Sequence, residues 1–96
     1  MYLSAFELEV LDRVFDDYEA VDIIRGDIAL DLGRPVSEEE VASALVALAH
    51  SGLVDVFVYD ATSSTYRPAE IDSSSVADLW FLTNKHGRSE YARFVA

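Results

Sequence analysis

Hydrophobic residues recur at helical spacing in the first half of this chain and form short continuous runs in the second half. A first helix is predicted to begin at Ser4, which has the spacing of a capping box with Glu7, and to end near Tyr18. Its apolar face consists of residues at steps of three or four, namely Leu8, Leu11, Phe15 and Tyr18.

A second helix is predicted from Ala20 or Val21 to Leu32, with Ile24, Ile28 and Leu32 on its inner side. Gly33 is expected to take the left-handed conformation that ends a helix, and Pro35 prevents continuation.

The third predicted helix covers residues 37–51 and has the clearest boundaries. Ser37 and Glu40 form a second capping box, and the three glutamates at 38–40 suit the positive end of the helix dipole. Gly52 is expected to end the helix. Its inner face is rich in small and aliphatic residues: Val41, Ala44, Leu45, Leu48 and Ala49.

The second half predicts strands over residues 53–59 and 79–82, with a final helix capped by Thr83 or Asn84. The 60–78 connection is long, and a further short strand around residues 65–67 is favoured over one loop, with Pro68 expected to interrupt its pairing. Residues 70–75 are predicted as a loop. The order α-α-α-β-β-α predicts an α+β fold, an antiparallel hairpin against three helices.

Composition narrows the class of protein. With 96 residues and 51% hydrophobic residues, the chain is predicted to form one domain over 1–96. Cysteine is absent, which removes disulfides and thiolate chemistry. No apolar run reaches the length of a membrane span, and the start shows no signal peptide, so a cytoplasmic protein without membrane contact is expected.

Three segments resemble winged helix-turn-helix regulators of the MarR and PadR type. They are the helix end His50-Ser51-Gly52-Leu53-Val54, the two strands of the hairpin, and Phe81-Leu82-Thr83-Asn84-Lys85-His86-Gly87-Arg88. The resemblance implies a winged helix: a three-helix core, an antiparallel β-hairpin wing and a C-terminal helix. It also implies that residues 37–51 are the recognition helix, which would enter the major groove of DNA, and that the wing tip lies within 60–77.

The charge of the chain departs from that pattern. Seven basic residues stand against eighteen acidic ones, a net charge of −11, and residues 37–51 contain no Lys or Arg. Because phosphate binding depends on Lys and Arg, we expect the third helix not to bind DNA directly. The leading hypothesis is a non-enzymatic regulatory or protein-interaction module, with a basic protein partner docking on Glu38, Glu39, Glu40, Ser43 and Ala47.

Other functions stay open at this stage. A dimeric DNA-binding regulator would use Arg67, Lys85 and Arg88, and a weaker alternative is an acidic mimic of DNA. The aromatic residues near both termini leave a homodimer open. No catalytic residue, cofactor or metal is predicted: His50 and His86 lack a recognisable nucleophile and orienting acid, and the acidic residues between 16 and 22 lack the spacing of a calcium loop.

Overall fold

The computed structural model describes residues 3–71 and 76–95. Within them the chain forms four α-helices and four strands, which confirms the predicted α+β class. The helices are α1 (Ala5–Arg13), α2 (Val21–Leu32), α3 (Glu38–His50) and α4 (Lys85–Val95). The strands are β1 (Glu19–Ala20), β2 (Val54–Asp60), β3 (Thr65–Pro68) and β4 (Trp80–Thr83), with a short 3-10 helix at Val76–Asp78.

Several helices begin or end where residues close in the sequence were predicted to cap them. The Ser4 hydroxyl accepts the Glu7 amide at 3.0 Å, and the Glu7 carboxylate accepts the Ser4 amide at 2.8 Å. Ser37 and Glu40 form the equivalent reciprocal pair at the start of α3. Gly33 and Gly52 follow α2 and α3 with φ of 65° and 75°, a conformation that costs glycine little.

The predicted extent of the first helix was wrong, because α1 ends at Arg13 rather than near Tyr18. Two carbonyls at its end accept hydrogen bonds from a distant residue: the Thr83 hydroxyl donates to Leu11 at 3.0 Å and the Thr83 amide to Val14 at 2.8 Å. These bonds satisfy carbonyls that the end of a helix leaves without intrahelical partners, and β1 begins after residues 14–18.

The sheet has the order β1-β4-β2-β3 and is antiparallel throughout. The prediction lacked β1, whereas the favoured extra strand is confirmed as β3. Pro68 does not interrupt the pairing, because β3 is an edge strand and the next amide, that of Ala69, donates to Val56 at 2.9 Å. The predicted loop at residues 70–75 lies largely outside the described residues.

The buried residues of the helices and of one sheet face form a continuous hydrophobic core. The predicted inner residues of α3 are buried, apart from the partly buried Ala49. On α2, Ile24 and Ile28 are buried as predicted, but Leu32 is 43% exposed. Leu32 lies on the last turn before Gly33, where the helix is about to end.

The end of β4 joins the helices to the sheet. The Asn84 amide donates to the Leu53 carbonyl at 3.1 Å, and its side-chain amide donates to Gly52 at 2.9 Å and to the Asp55 carboxylate at 3.0 Å. The Asn84 side-chain oxygen accepts the Gly87 amide at 3.0 Å, which confirms Asn84 as the cap of α4. Gly87 packs so closely that a Cβ there would collide with the Leu53 carbonyl and lie 2.6 Å from Thr83 Cγ2.

We predict that Gly87→Ala lowers the free energy of unfolding by about 2 kcal/mol, because a backbone carbonyl cannot move aside easily. Gly26→Ala is the matched control. Gly26 is also helical but a Cβ there meets nothing within 4 Å, so this change should stabilise by about 1 kcal/mol. Urea unfolding followed by circular dichroism measures both. Equal effects of the two substitutions would contradict the close packing at Gly87.

Candidate functional site

The exposed side of α3 contains a shallow groove of about 580 Å³. Three of the five predicted docking residues line it: Glu39, Ser43 and Ala47. They lie four residues apart and therefore share one side of the helix. The remaining lining residues are Ala42, Val46 and His50 of α3 and Val76 of the 3-10 helix.

The groove combines an apolar floor with different polar groups at its two ends. Glu39 lies at the first turn of α3 and His50 at the last residue, eleven residues or roughly 16 Å apart along the helix. That separation prevents the two side chains from acting together on one bond. The groove is suited to holding an elongated ligand with a cationic group near Glu39.

The other two predicted docking residues differ from Glu39. The Glu40 carboxylate belongs to the helix cap and also accepts a hydrogen bond from Arg34 at 3.4 Å. Glu38 is exposed but does not line the groove. The structure therefore brings Glu39, Ser43 and Ala47 together, leaves Glu38 outside the groove lining, and uses Glu40 to hold the helix end.

Of the three basic residues predicted for DNA contact, Lys85 and Arg88 lie three residues apart on α4, and Arg67 lies on β3. Arg67 is exposed and pairs with Asp60 at 3.5 Å. Arg88 donates to the Phe15 carbonyl at 2.8 Å, and its guanidinium lies 4.5 Å from the centroid of the Phe15 ring. Lys85 is exposed at the first residue of α4. Arg88 is thus engaged within the chain, and Arg67 faces a carboxylate.

A second surface, which sequence reasoning missed, lies on the sheet face opposite the helices. Side chains alternate along β4, so that Phe81 is buried in the core and Trp80 faces outward. The outward positions carry five aromatic rings, here called the aromatic sheet face: Tyr18, Phe57, Tyr59, Tyr66 and Trp80.

Tyr66 is the centre of the aromatic sheet face. Its ring stacks on Tyr18 with centroids 3.9 Å apart and planes 7° apart. Tyr59 and Trp80 meet Tyr66 edge to face at 5.2 and 5.5 Å, and Phe57 meets Tyr18 edge to face at 4.9 Å. The three edge-to-face pairs have the separations of favourable aromatic pairs, and the Tyr18–Tyr66 stack is closer.

The charges close to this face are negative. Desolvation raises the pKa of the Tyr66 hydroxyl, and the Asp17 and Glu19 carboxylates raise it further. The pKa of Glu19 is itself raised, first by burial and then by repulsion from Asp27 and Asp17.

Within residues 3–71 and 76–95, no three His, Cys, Asp or Glu side chains are grouped as a metal ion would require. None of the helices there combines the length and the apolar character needed to cross a membrane.

In comparisons with known proteins, no protein-family model matches this chain, and no curated protein shows significant similarity to it.

The aromatic sheet face left a partial signal in the sequence. Phe57 and Tyr59 have the same parity in a strand and must share a face, and alternation puts Trp80 on the opposite face of its strand from Phe81. Tyr18 gave a misleading signal, because its spacing fits the apolar face of the first helix. Tyr18 lies beyond the helix because α1 ends at Arg13, where the carbonyls of Leu11 and Val14 accept hydrogen bonds from Thr83.

We predict that Glu19→Gln stabilises the fold at neutral pH by a few tenths of a kcal/mol, the scale of partly solvated charge interactions. Since folding raises the pKa of Glu19, the protonated form is favoured in the folded state. The difference in stability between the two proteins should therefore be present above the folded-state pKa and disappear as the pH falls below 4.5, the ordinary pKa of a glutamate side chain. Thermal unfolding between pH 4 and pH 7 measures it; a destabilising effect at pH 7 would contradict the assignment.

Proposed function

We propose that this chain is a non-enzymatic interaction module with a winged-helix-like fold, whose third helix docks a basic segment of a partner protein instead of DNA. The order of three helices, antiparallel strands and a returning helix is compatible with that fold. The observation that carries the proposal is the α3 groove, which has an apolar floor, Glu39 at one end and no Lys or Arg on its helix.

The geometry of the groove favours a helical or extended protein segment as its ligand. Small side chains, Ala42, Ser43 and Ala47, let a partner backbone approach α3 closely. Val46 and Val76 offer apolar area to bury, and Glu39 offers an ion pair at the rim. Apolar anchors in a groove with charges at the edge are the usual means by which a groove binds an amphipathic helix.

The rival function is DNA binding by a dimer. It is supported by the exposure of Lys85 and Arg67. It is opposed by the net charge of −11, which repels phosphates at long range, and by the engagement of Arg88 with Phe15. The acidic α3 surface is therefore the better candidate for the contact with a partner.

The proposal is tested with the ¹⁵N-labelled chain and a Lys-rich amphipathic helical peptide as the probe. We expect the peptide to shift the backbone amide signals of Ser43, Ala47 and His50 more than those of α2 and α4. Glu39→Lys should weaken binding by roughly three- to tenfold, because an attractive charge at the rim becomes repulsive.

Asp27→Lys is the matched control, since it makes the same change in net charge at an exposed position of α2 that does not line the groove. It should affect binding much less than Glu39→Lys. If both variants weaken binding equally, or if the shifts spread evenly over the chain, the peptide responds only to net charge and the docking proposal fails.

A further inference from the structure

The aromatic sheet face has the composition of a binding surface as well as that of a packed cluster. Three of its five rings are tyrosines and one is the only tryptophan of the chain. Tyrosine and tryptophan are enriched where proteins contact partners, because they bury apolar area while retaining a polar atom. Tyr59 is 43% exposed, and Tyr18, Phe57, Tyr66 and Trp80 are only partly buried.

The charged residues near the aromatic sheet face indicate which charge a ligand of this face would carry. Asp17 is exposed in the segment directly before Tyr18, and its carboxylate is close enough to raise the pKa of the Tyr66 hydroxyl. Glu19 pairs with Phe81 and therefore belongs to the opposite side of the sheet. Arg67, the neighbour of Tyr66, also has the opposite parity in β3 and pairs with Asp60. The rings thus lie beside the Asp17 carboxylate, while the adjacent arginine is turned to a different partner.

Aromatic faces attract cations, and guanidinium groups stack on them especially well. A nucleic acid also stacks on aromatic rings, but its phosphates would meet Asp17 and the strongly acidic chain. Charge complementarity therefore selects a cationic occupant.

We propose that the aromatic sheet face binds arginine side chains of an extended segment in a partner protein, with the guanidinium groups stacked on the rings and paired with Asp17. This surface is distinct from the α3 groove, because none of its five rings lines that groove. The chain would then contact basic partners on two separate surfaces.

Trp80 provides a direct readout, since it is the only tryptophan and belongs to this face. The probe is a short capped peptide of alternating Arg and Gly, compared with the same peptide containing citrulline, which keeps the shape of arginine without the charge. We expect the Arg peptide to change Trp80 emission saturably, the corresponding Lys peptide to bind more weakly, and the citrulline peptide to leave the emission unchanged.

Variants of the exposed ring locate the contact. Tyr59→Ala should weaken binding of the Arg peptide by about three- to tenfold. Tyr59→Phe keeps the ring and should bind the peptide nearly as tightly as the original protein does. Asp17→Asn should also weaken binding, and Glu39→Lys, in the α3 groove, should not change the Trp80 response. Circular dichroism confirms that each variant is folded.

Three results would overturn the proposal: no saturable change in Trp80 emission, equal responses to Arg and citrulline peptides, or unchanged affinity in both Tyr59→Ala and Asp17→Asn. A response that disappears in Glu39→Lys would assign the peptide to the α3 groove and also reject a site on the sheet. Because the two surfaces have separate readouts, failure here leaves the test of the α3 groove unaffected.

Discussion

The fold depends on the segment that joins the end of β4 to α4, where Thr83, Asn84 and Gly87 contact three otherwise separate parts of the chain. Thr83 satisfies the carbonyls of Leu11 and Val14 at the end of α1. Asn84 binds the backbone at the step from α3 to β2 and caps α4, and Gly87 admits that backbone at a distance that no side chain would permit. Because a buried polar group without a partner costs about 1–3 kcal/mol, the buried bond from the Thr83 hydroxyl to Leu11 helps to fix α1 relative to the sheet. Residues 83–87 thus have a physical role that does not depend on DNA.

Both candidate surfaces follow from this arrangement. Packing of α3 through Val41, Leu45 and Leu48 leaves the opposite side of the helix, with Glu39, exposed. The early end of α1 releases Tyr18 to cross to the outer face of the sheet, where it stacks on Tyr66. The framework is thus compatible with that of a DNA-binding fold, while its exposed groups carry the charge that repels phosphate. Fold alone does not assign a function, and here the surface chemistry favours a basic protein partner.

Features encoded within a few residues were predictable from the sequence, and features set by distant contacts were not. The capping boxes and the glycines after α2 and α3 act locally, so their positions were correct. The end of α1 depends on Thr83, about seventy residues away, and no periodicity in the first helix could show it. Strand β1 has two residues, too few to display alternation. For the proposed docking residues, the sequence showed that the start of α3 is acidic. Only the structure shows that Glu40 is held in the cap and that Glu39 borders the groove.

The central claim is that the exposed side of α3 serves a protein partner rather than DNA, and the most direct test is fluorescence anisotropy of labelled mixed-sequence duplex DNA titrated with the protein. Binding that depends on phosphate contacts is strongest at low salt, so the titration is made at low and at near-physiological ionic strength. The account predicts no saturable rise in anisotropy at either. Tight binding that weakens with salt, with a smaller salt dependence in Arg67→Ala or Lys85→Ala, would contradict it and establish direct DNA recognition.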